Sequence, residues 1–247
     1  MMKKARIDKL LLEQGFADSR TKAQALIMAG VVLVNEKRVE KPSESFTFDA
    51  KIRLKGKSGE IKYVGRGGLK LERALHECHI QPNEYVCLDV GASTGGFTDC
   101  LLQHGANKVV AVDVGTNQIV WKLRNDARVE VRENINARYL KPEHFVEKFD
   151  LIVMDVSFIS VTKILPALKD LLTENGKIIV LIKPQFEVGK GEVGKGGIVR
   201  DAEKHTEVIK KINSFAEEIG LNVFALIDSP ILGADGNKEF LALYEKT

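Results

Sequence analysis

The sequence predicts an α/β protein, a mostly parallel sheet covered by helices on both faces, preceded by a small α+β module. From about residue 85 onward, apolar runs of strand length alternate with stretches of helical periodicity, the pattern of strands buried on both faces. The first sixty residues lack that alternation and hold two short helical stretches and a hairpin. Charge divides the chain in the same way. Residues 1–75 carry 17 Lys and Arg against 9 Asp and Glu, a net +8, whereas residues 76–247 carry 20 against 25, a net −5. A basic front piece joined to a mildly acidic body suits a protein whose front meets a polyanion while the body does something else.

Composition narrows the function classes. With 247 residues, 44% hydrophobic, 29% charged and 6% aromatic, the chain can bury one large core and one small one, and it is neither collagen-like, mucin-like nor disordered. The longest aliphatic runs, residues 151–154 and 178–182, fall far short of the roughly 20 apolar residues of a membrane helix, and no signal-peptide core stands near the start. A cytoplasmic protein without membrane partners is therefore expected. Cys78, Cys87 and Cys100 are odd in number and form no CxxC pair, and the five histidines lack ligand spacing, so neither disulfides nor a metal are expected.

In RIDKLLLEQGF, residues 6–16, the apolar Ile7, Leu10, Leu11 and Leu12 recur at helical spacing. Ser19 caps a second helical stretch that stops at Gly30. In VVLVNEKRV, residues 31–39, hydrophobics flank the turn-forming Asn35-Glu36, which predicts a hairpin. This arrangement, with Arg6, Asp8, Ser19, Arg20, Ala23, Ile27, Gly30, Val32, Val34 and Asn35 in their places, resembles the S4 RNA-binding domain over roughly residues 5–55. The resemblance implies phosphate contact, for which Arg6, Lys9, Arg20, Lys22, Lys37 and Arg38 supply cations, with Arg66 in the basic, glycine-containing stretch that follows. The expected organisation is an S4-like domain over 1–60, a linker and leading helix over 61–80, and a second domain over 81–247.

The second domain reads as strands YVCLDV, KVVAVDV, VEVRE, FDLIVMDV and GKIIVLIK, with helices near 96–104, 117–124, 159–172 and 201–219. The first strand ends in LDVGASTGGFTD, where Asp89, Gly91, Ser93, Gly95 and Gly96 lead into a helix at Phe97. Glycines let the backbone pass close to a ligand, and a helix N-terminus offers free amide donors. Ser93 stands where a dinucleotide fingerprint wants glycine. Asp113 ends the second strand, where a carboxylate takes the hydroxyls of an adenosine ribose, a group common to NAD and S-adenosylmethionine. The last two runs, LNVFALID and KEFLALYEKT, are joined without a helix and should pair antiparallel at the sheet edge. That ending belongs to Rossmann-like methyltransferases rather than dehydrogenases and favours S-adenosylmethionine. GKGEVGKGG, residues 189–197, nearly spells a phosphate loop, but Gly196 takes the place of the magnesium-binding Ser or Thr, so a loop that closes over an RNA strand is expected instead. Phe158 and Phe186 flank the expected crevice, placed either to stack on a base or to pack as core.

GRGGLKL, DVGASTGGF, MDVSFIS, LIKPQFE and KEFLAL together resemble the TlyA family, whose catalytic domain is of the FtsJ (RrmJ) ribose methyltransferase type. The resemblance implies S-adenosylmethionine-dependent ribose 2′-O-methylation, with ribosomal RNA or ribosomal subunits as partner and cytidine as the usual target. It places the FtsJ-type tetrad on Lys70, Asp155, Lys183 and Glu239, and the expected cofactor-binding set is Asp89, Gly91, Ser93, Gly95, Gly96, Phe97, Asp113, Asn136 and Asp155. Elementary chemistry agrees. Methyl transfer from a sulfonium to a hydroxyl is an in-line displacement in which the hydroxyl loses a proton, and a lysine serves as base where neighbouring positive charge favours its neutral form. Lys183 and Asp155 fall at carboxyl ends of expected strands, Glu239 opens the expected edge strand, and Lys70 lies on the helix before the sheet. The expected roles are Lys183 as base, Asp155 as its orienting partner, and Lys70 with Glu239 as the pair that positions the ribose. Two alternatives are a cytolysin, which the family's haemolysin label implies and the lack of long apolar segments disfavours, and an RNA-binding protein with a non-catalytic pocket, which the intact tetrad disfavours.

Overall fold

A computed structural model describes residues 4–17, 19–54, 62–189, 191–233 and 236–246, and the chain divides between Arg66 and Gly67 into two compact units. Residues 55–61 of the expected linker stretch, and Lys190 of the glycine-rich segment, lie outside the described residues.

The first unit runs β1 (Lys4–Arg6), α1 (Ile7–Glu13), α2 (Arg20–Met28), β2 (Val32–Val34), β3 (Lys37–Arg38), β4 (Ser45–Thr47) and β5 (Ile52–Leu54). Its core joins Ile7, Leu10 and Leu11 of α1 to Ala23, Leu26 and Ile27 of α2, the apolar faces that the helical spacing anticipates. The Ser19 hydroxyl accepts from the Lys22 amide at 3.2 Å and so caps α2. Between β2 and β3, Asn35 and Glu36 stand at φ +50° and +62°, as a two-residue hairpin turn with both central residues left-handed demands. Strands β1, β4 and β5 escape sequence reading because three residues are too few to show an alternation. β5 adds to β2, and β1 pairs with β4.

The second unit runs α3 (Gly67–Glu77), β6 (Val86–Val90), α4 (Gly96–Gln103), β7 (Lys108–Val112), α5 (Trp121–Arg124), β8 (Val129–Arg132), β9 (Phe149–Met154), α6 (Leu165–Lys169), β10 (Leu172–Ile182), α7 (Ala202–Glu218), β11 (Leu221–Asp228) and β12 (Phe240–Lys246). Its seven-stranded sheet has the order β11-β12-β10-β9-β6-β7-β8, with β12 antiparallel to both neighbours and all other pairs parallel. α3 is part of this unit rather than of a connecting stretch, because Leu71, Ala74 and Leu75 are buried and the helix packs on α4.

Three expectations need correction. The last two strands pair antiparallel at the sheet edge as expected, but the edge strand is β11 and β12 lies between β10 and β11; the residues of β12 from Phe240 to Tyr244 are all buried, whereas β11 after the buried Leu221 alternates exposed and half-buried residues as an edge strand does. The helix expected over 159–172 breaks into a 3₁₀ turn, Val161–Lys163, and the short α6, where Pro166 lies in the first turn, and β10 already begins at Leu172. The helix expected over 117–124 shrinks to α5, preceded by Asn117 at φ +53°. The far end of the glycine-rich segment is tied down by the buried Asn237, whose side-chain carbonyl oxygen accepts from the Val199 amide and whose side-chain amide donates to the Gly197 carbonyl.

Candidate functional site

The carboxyl ends of β6, β7 and β9 open into a cleft of about 440 Å³, within the range of small-ligand sites. Of the expected cofactor residues, Gly91, Ser93, Asp113, Asn136 and Asp155 line it, joined by Val114, Gln118, Ile135, Ala137, Val156 and Ile159. Gly91 sits at φ +82°, and a Cβ there would run into the Asp155 carbonyl, so only glycine lets the two strand ends close around this space. Asp113 is held from two sides. Its Oδ2 accepts from the Ser93 amide at 2.8 Å and its Oδ1 from the Gly115 amide at 2.7 Å, which leaves further lone pairs for ligand hydroxyls. A two-oxygen acceptor beside an aliphatic wall suits the ribose and adenine of an adenosyl group. The residues present therefore fit S-adenosylmethionine.

Four expected cofactor residues do not line the cleft. Gly95, at φ +98°, is pressed under Leu123; Gly96 opens α4; Phe97 is buried with its ring against Gly67. Asp89 is fully buried, its Oδ2 accepting from the Thr98 hydroxyl at 2.6 Å. Burial, aided by the nearby Asp155 charge, pushes its carboxyl up to about 7. The folded state thus holds this proton at pH values where the unfolded chain, near 3.8, has lost it, so Asp89 makes stability fall as pH rises through that window. Asp89→Asn cannot ionise, and its melting temperature relative to the parent should rise by roughly 5 °C between pH 5 and pH 8. Thermal melts of both proteins at pH 5, 6.5 and 8 check this, and parallel curves would refute it.

The tetrad assembles as two ion pairs. Lys183 follows β10 and Glu239 precedes β12, and since Ile182 pairs with Phe240, the two are the next facing positions of the ladder. Asp155 follows β9, whose Met154 pairs with Val180 of β10. Lys183 Nζ lies 2.5 Å from Asp155 Oδ1 and donates to Ser157 Oγ at 2.9 Å. Lys70 reaches from α3 to donate to Glu239 Oε2 at 2.6 Å, both residues buried. Gly67, at the start of the same helix, lies beside Phe97 and Asp155. An isolated buried charge is costly, so each lysine and its carboxylate hold one another in place. Sequence reading missed Ser157, although it directly follows Asp155-Val156. It also missed Ile135 and Ala137, which stand in irregular backbone that no periodicity marks.

In the first unit the four arginines among the expected phosphate-binding cations gather about two carboxylates. Arg6 and Arg20 converge on the buried Asp8, at 2.9 and 3.0 Å, with Gln24 donating to the same oxygen. The Arg6 guanidinium, with Gln24 and Arg20, holds the Asp8 carboxyl well below the usual carboxylate range. Arg38 and Arg66 both pair with Glu40. Lys9, Lys22 and Lys37 are exposed on α1, α2 and β3. Among the described residues, no group of three or more His, Cys, Asp or Glu is placed to hold a metal ion, and no helix is long and apolar enough to cross a membrane.

Comparison with known proteins agrees with these two units. Residues 63–246 match the family model of FtsJ-like methyltransferases, and residues 5–52 match the S4 domain. The chain is 42% identical over 240 residues, 97% of its length and 89% of the relative's, to the 16S/23S rRNA (cytidine-2′-O)-methyltransferase TlyA of Mycobacterium tuberculosis. It is 45% identical to Hemolysin A of Brachyspira hyodysenteriae, over 96% of this chain and 98% of that one. A solved structure from Streptococcus thermophilus, described provisionally as a hemolysin, superposes with a TM-score of 0.78 at 46% identity and covers 100% of this chain and 90% of its own. Together these findings place the chain in the TlyA family of FtsJ-like methyltransferases, with an S4 domain ahead of the methyltransferase unit.

Proposed function

We propose that the protein transfers a methyl group from S-adenosylmethionine to a ribose 2′-hydroxyl of ribosomal RNA, at a cytidine, in the cytoplasm where ribosomes are assembled. The observation that carries this reading is the pair of lysine–carboxylate contacts, Lys183–Asp155 and Lys70–Glu239, at the strand ends beside the cleft. The cofactor, when bound, supplies an electrophilic methyl on a sulfonium. Lys183, in its neutral amine form, takes the proton of the 2′-hydroxyl at Nζ and becomes the ammonium that pairs with Asp155, while Asp155 and Ser157 hold that nitrogen in place. Lys70, fixed by Glu239, orients the ribose. Asp113 accepts from the adenosyl ribose, and the aliphatic wall of the cleft excludes water from the adenine. Phe158, 90% exposed at the cleft and leaning on Phe186, offers a ring face to the target base. The rRNA (cytidine-2′-O)-methyltransferase relative supports the choice of substrate. The test is transfer of labelled methyl to ribosomal RNA from a strain lacking the protein, followed by mapping of the modified residue. Label on a base, or none on RNA, would refute the proposal.

The S4 unit holds RNA by phosphate contact. Alanine at Lys9, Lys22 and Lys37 together should lower the slope of log affinity against log salt by about two, since each lost phosphate contact removes roughly 0.7–0.9. Cofactor affinity should stay unchanged. RNA titrations at several salt concentrations check this, and an unaltered slope would make these lysines a merely solvated surface.

A further inference from the structure

The segment after β9 and the turn after β10 are fastened at four places, and the last involves a carboxylate with no part in the chemistry above. Asp155 pairs with Lys183, Lys183 donates to Ser157, and the rings of Phe158 and Phe186 lie 4.9 Å apart. Finally, the buried Glu187 accepts from the Ser160 hydroxyl at 2.6 Å and from the Val161 amide at 2.8 Å. Between these anchors runs the backbone of Val156, Ser157, Phe158 and Ile159, which lines the cleft. Phe158 stands at φ +66°, a conformation that a bulky aromatic residue keeps only where its surroundings impose it. Such a segment relaxes unless both ends are held. The front end is held by the Asp155 amide, which donates to the Val90 carbonyl at 3.0 Å. The rear end has Glu187, whose two oxygens each take one donor.

We infer that Glu187 is a positioning residue: it straps the rear of the segment after β9 to the turn after β10. The strap keeps the strained Phe158 backbone, the cleft wall and the Lys183–Asp155 pair in register. It acts through other residues and touches neither cofactor nor RNA. The inference rests on the catalytic reading of the site given above.

The experiment uses the full chain and four variants: Glu187→Ala, Glu187→Gln, Ser160→Ala and the Ser160→Ala/Glu187→Ala double. Each is measured for methyl transfer to RNA, cofactor affinity by calorimetry, and melting temperature. Ser160→Ala and Glu187→Ala should lower kcat by ~10- to 100-fold, the scale set by an ångström of misplacement, while KM for RNA changes by less than about threefold. Both should also weaken cofactor binding severalfold, because the strapped segment lines the cleft. Glutamine can accept from Val161 and donate to the Ser160 hydroxyl, so Glu187→Gln should restore most of the activity. The double variant should be no worse than the worse single one, as coupled residues behave. A Ser160→Ala protein that melts like the parent and keeps its kcat and cofactor affinity overturns the strap, as does a Glu187→Gln protein as impaired as Glu187→Ala. If Glu187→Ala does not fold, Ser160→Ala and Glu187→Gln decide. A parent protein that methylates no RNA counts against the catalytic reading, and the calorimetric comparison then still decides the strap.

Discussion

Lys183→Arg should lose methyl transfer by ~10²- to 10⁴-fold while binding cofactor almost normally, the range that a positioned general base contributes. Arginine keeps the positive charge and can still pair with Asp155, but it does not give up a proton in the working pH range. A base at this position therefore fails on substitution, whereas a purely electrostatic residue would retain much of its activity. The surroundings of Lys183 sharpen the comparison. Its Nζ is fixed by Asp155 at 2.5 Å and by Ser157 at 2.9 Å, so Ser157→Ala, which leaves the ion pair, should cost far less than Lys183→Arg. Lys183→Ala should be at least as inactive as the arginine variant. Labelled methyl transfer to unmodified ribosomal RNA, with calorimetry and melting in parallel, checks all three. Robust turnover by Lys183→Arg would remove Lys183 as the base and leave Lys70 as the next candidate.

Asp113→Ala should weaken S-adenosylmethionine binding by about 2–3 kcal/mol, roughly 30- to 150-fold in Kd, the cost of leaving buried ribose hydroxyls without an acceptor. Two losses add here. The carboxylate offers its oxygens to the ligand, and it also anchors the amides of Ser93 and Gly115, which shape the cleft mouth. Asp113→Asn separates them, since its single carbonyl oxygen can hold only one of those two anchors at full strength. It should fall between the parent and Asp113→Ala. Calorimetric titration measures this; unchanged affinity in Asp113→Ala, or tighter binding of NAD than of S-adenosylmethionine by the parent, would contradict the assignment.

The sequence alone determined the alternation of strands and helices and the basic front unit with its capped second helix and Asn35-Glu36 turn, and the family resemblance pointed to the four positions of the tetrad. These are legible because periodicity, caps, turn residues and short motifs are local in the chain, whether the motif stands at a strand end, as for Asp155, Lys183 and Glu239, or on a helix, as for Lys70. Tertiary structure decided what depends on neighbours distant in sequence. Only the folded sheet sets β12 between β10 and β11, which brings Glu239 opposite Lys183 in the ladder and within reach of Lys70, 169 residues away along the chain. Only packing separates Asp113, which lines the cleft, from Asp89, which is fully buried and does not, although both are acidic residues at the end of a strand pattern. Only the fold reveals Glu187, since a glutamate following an aromatic carries no local signal. Its partners, Ser160 and Val161, lie on another loop, and a hydrogen bond across two loops exists in the chain only once both have been placed.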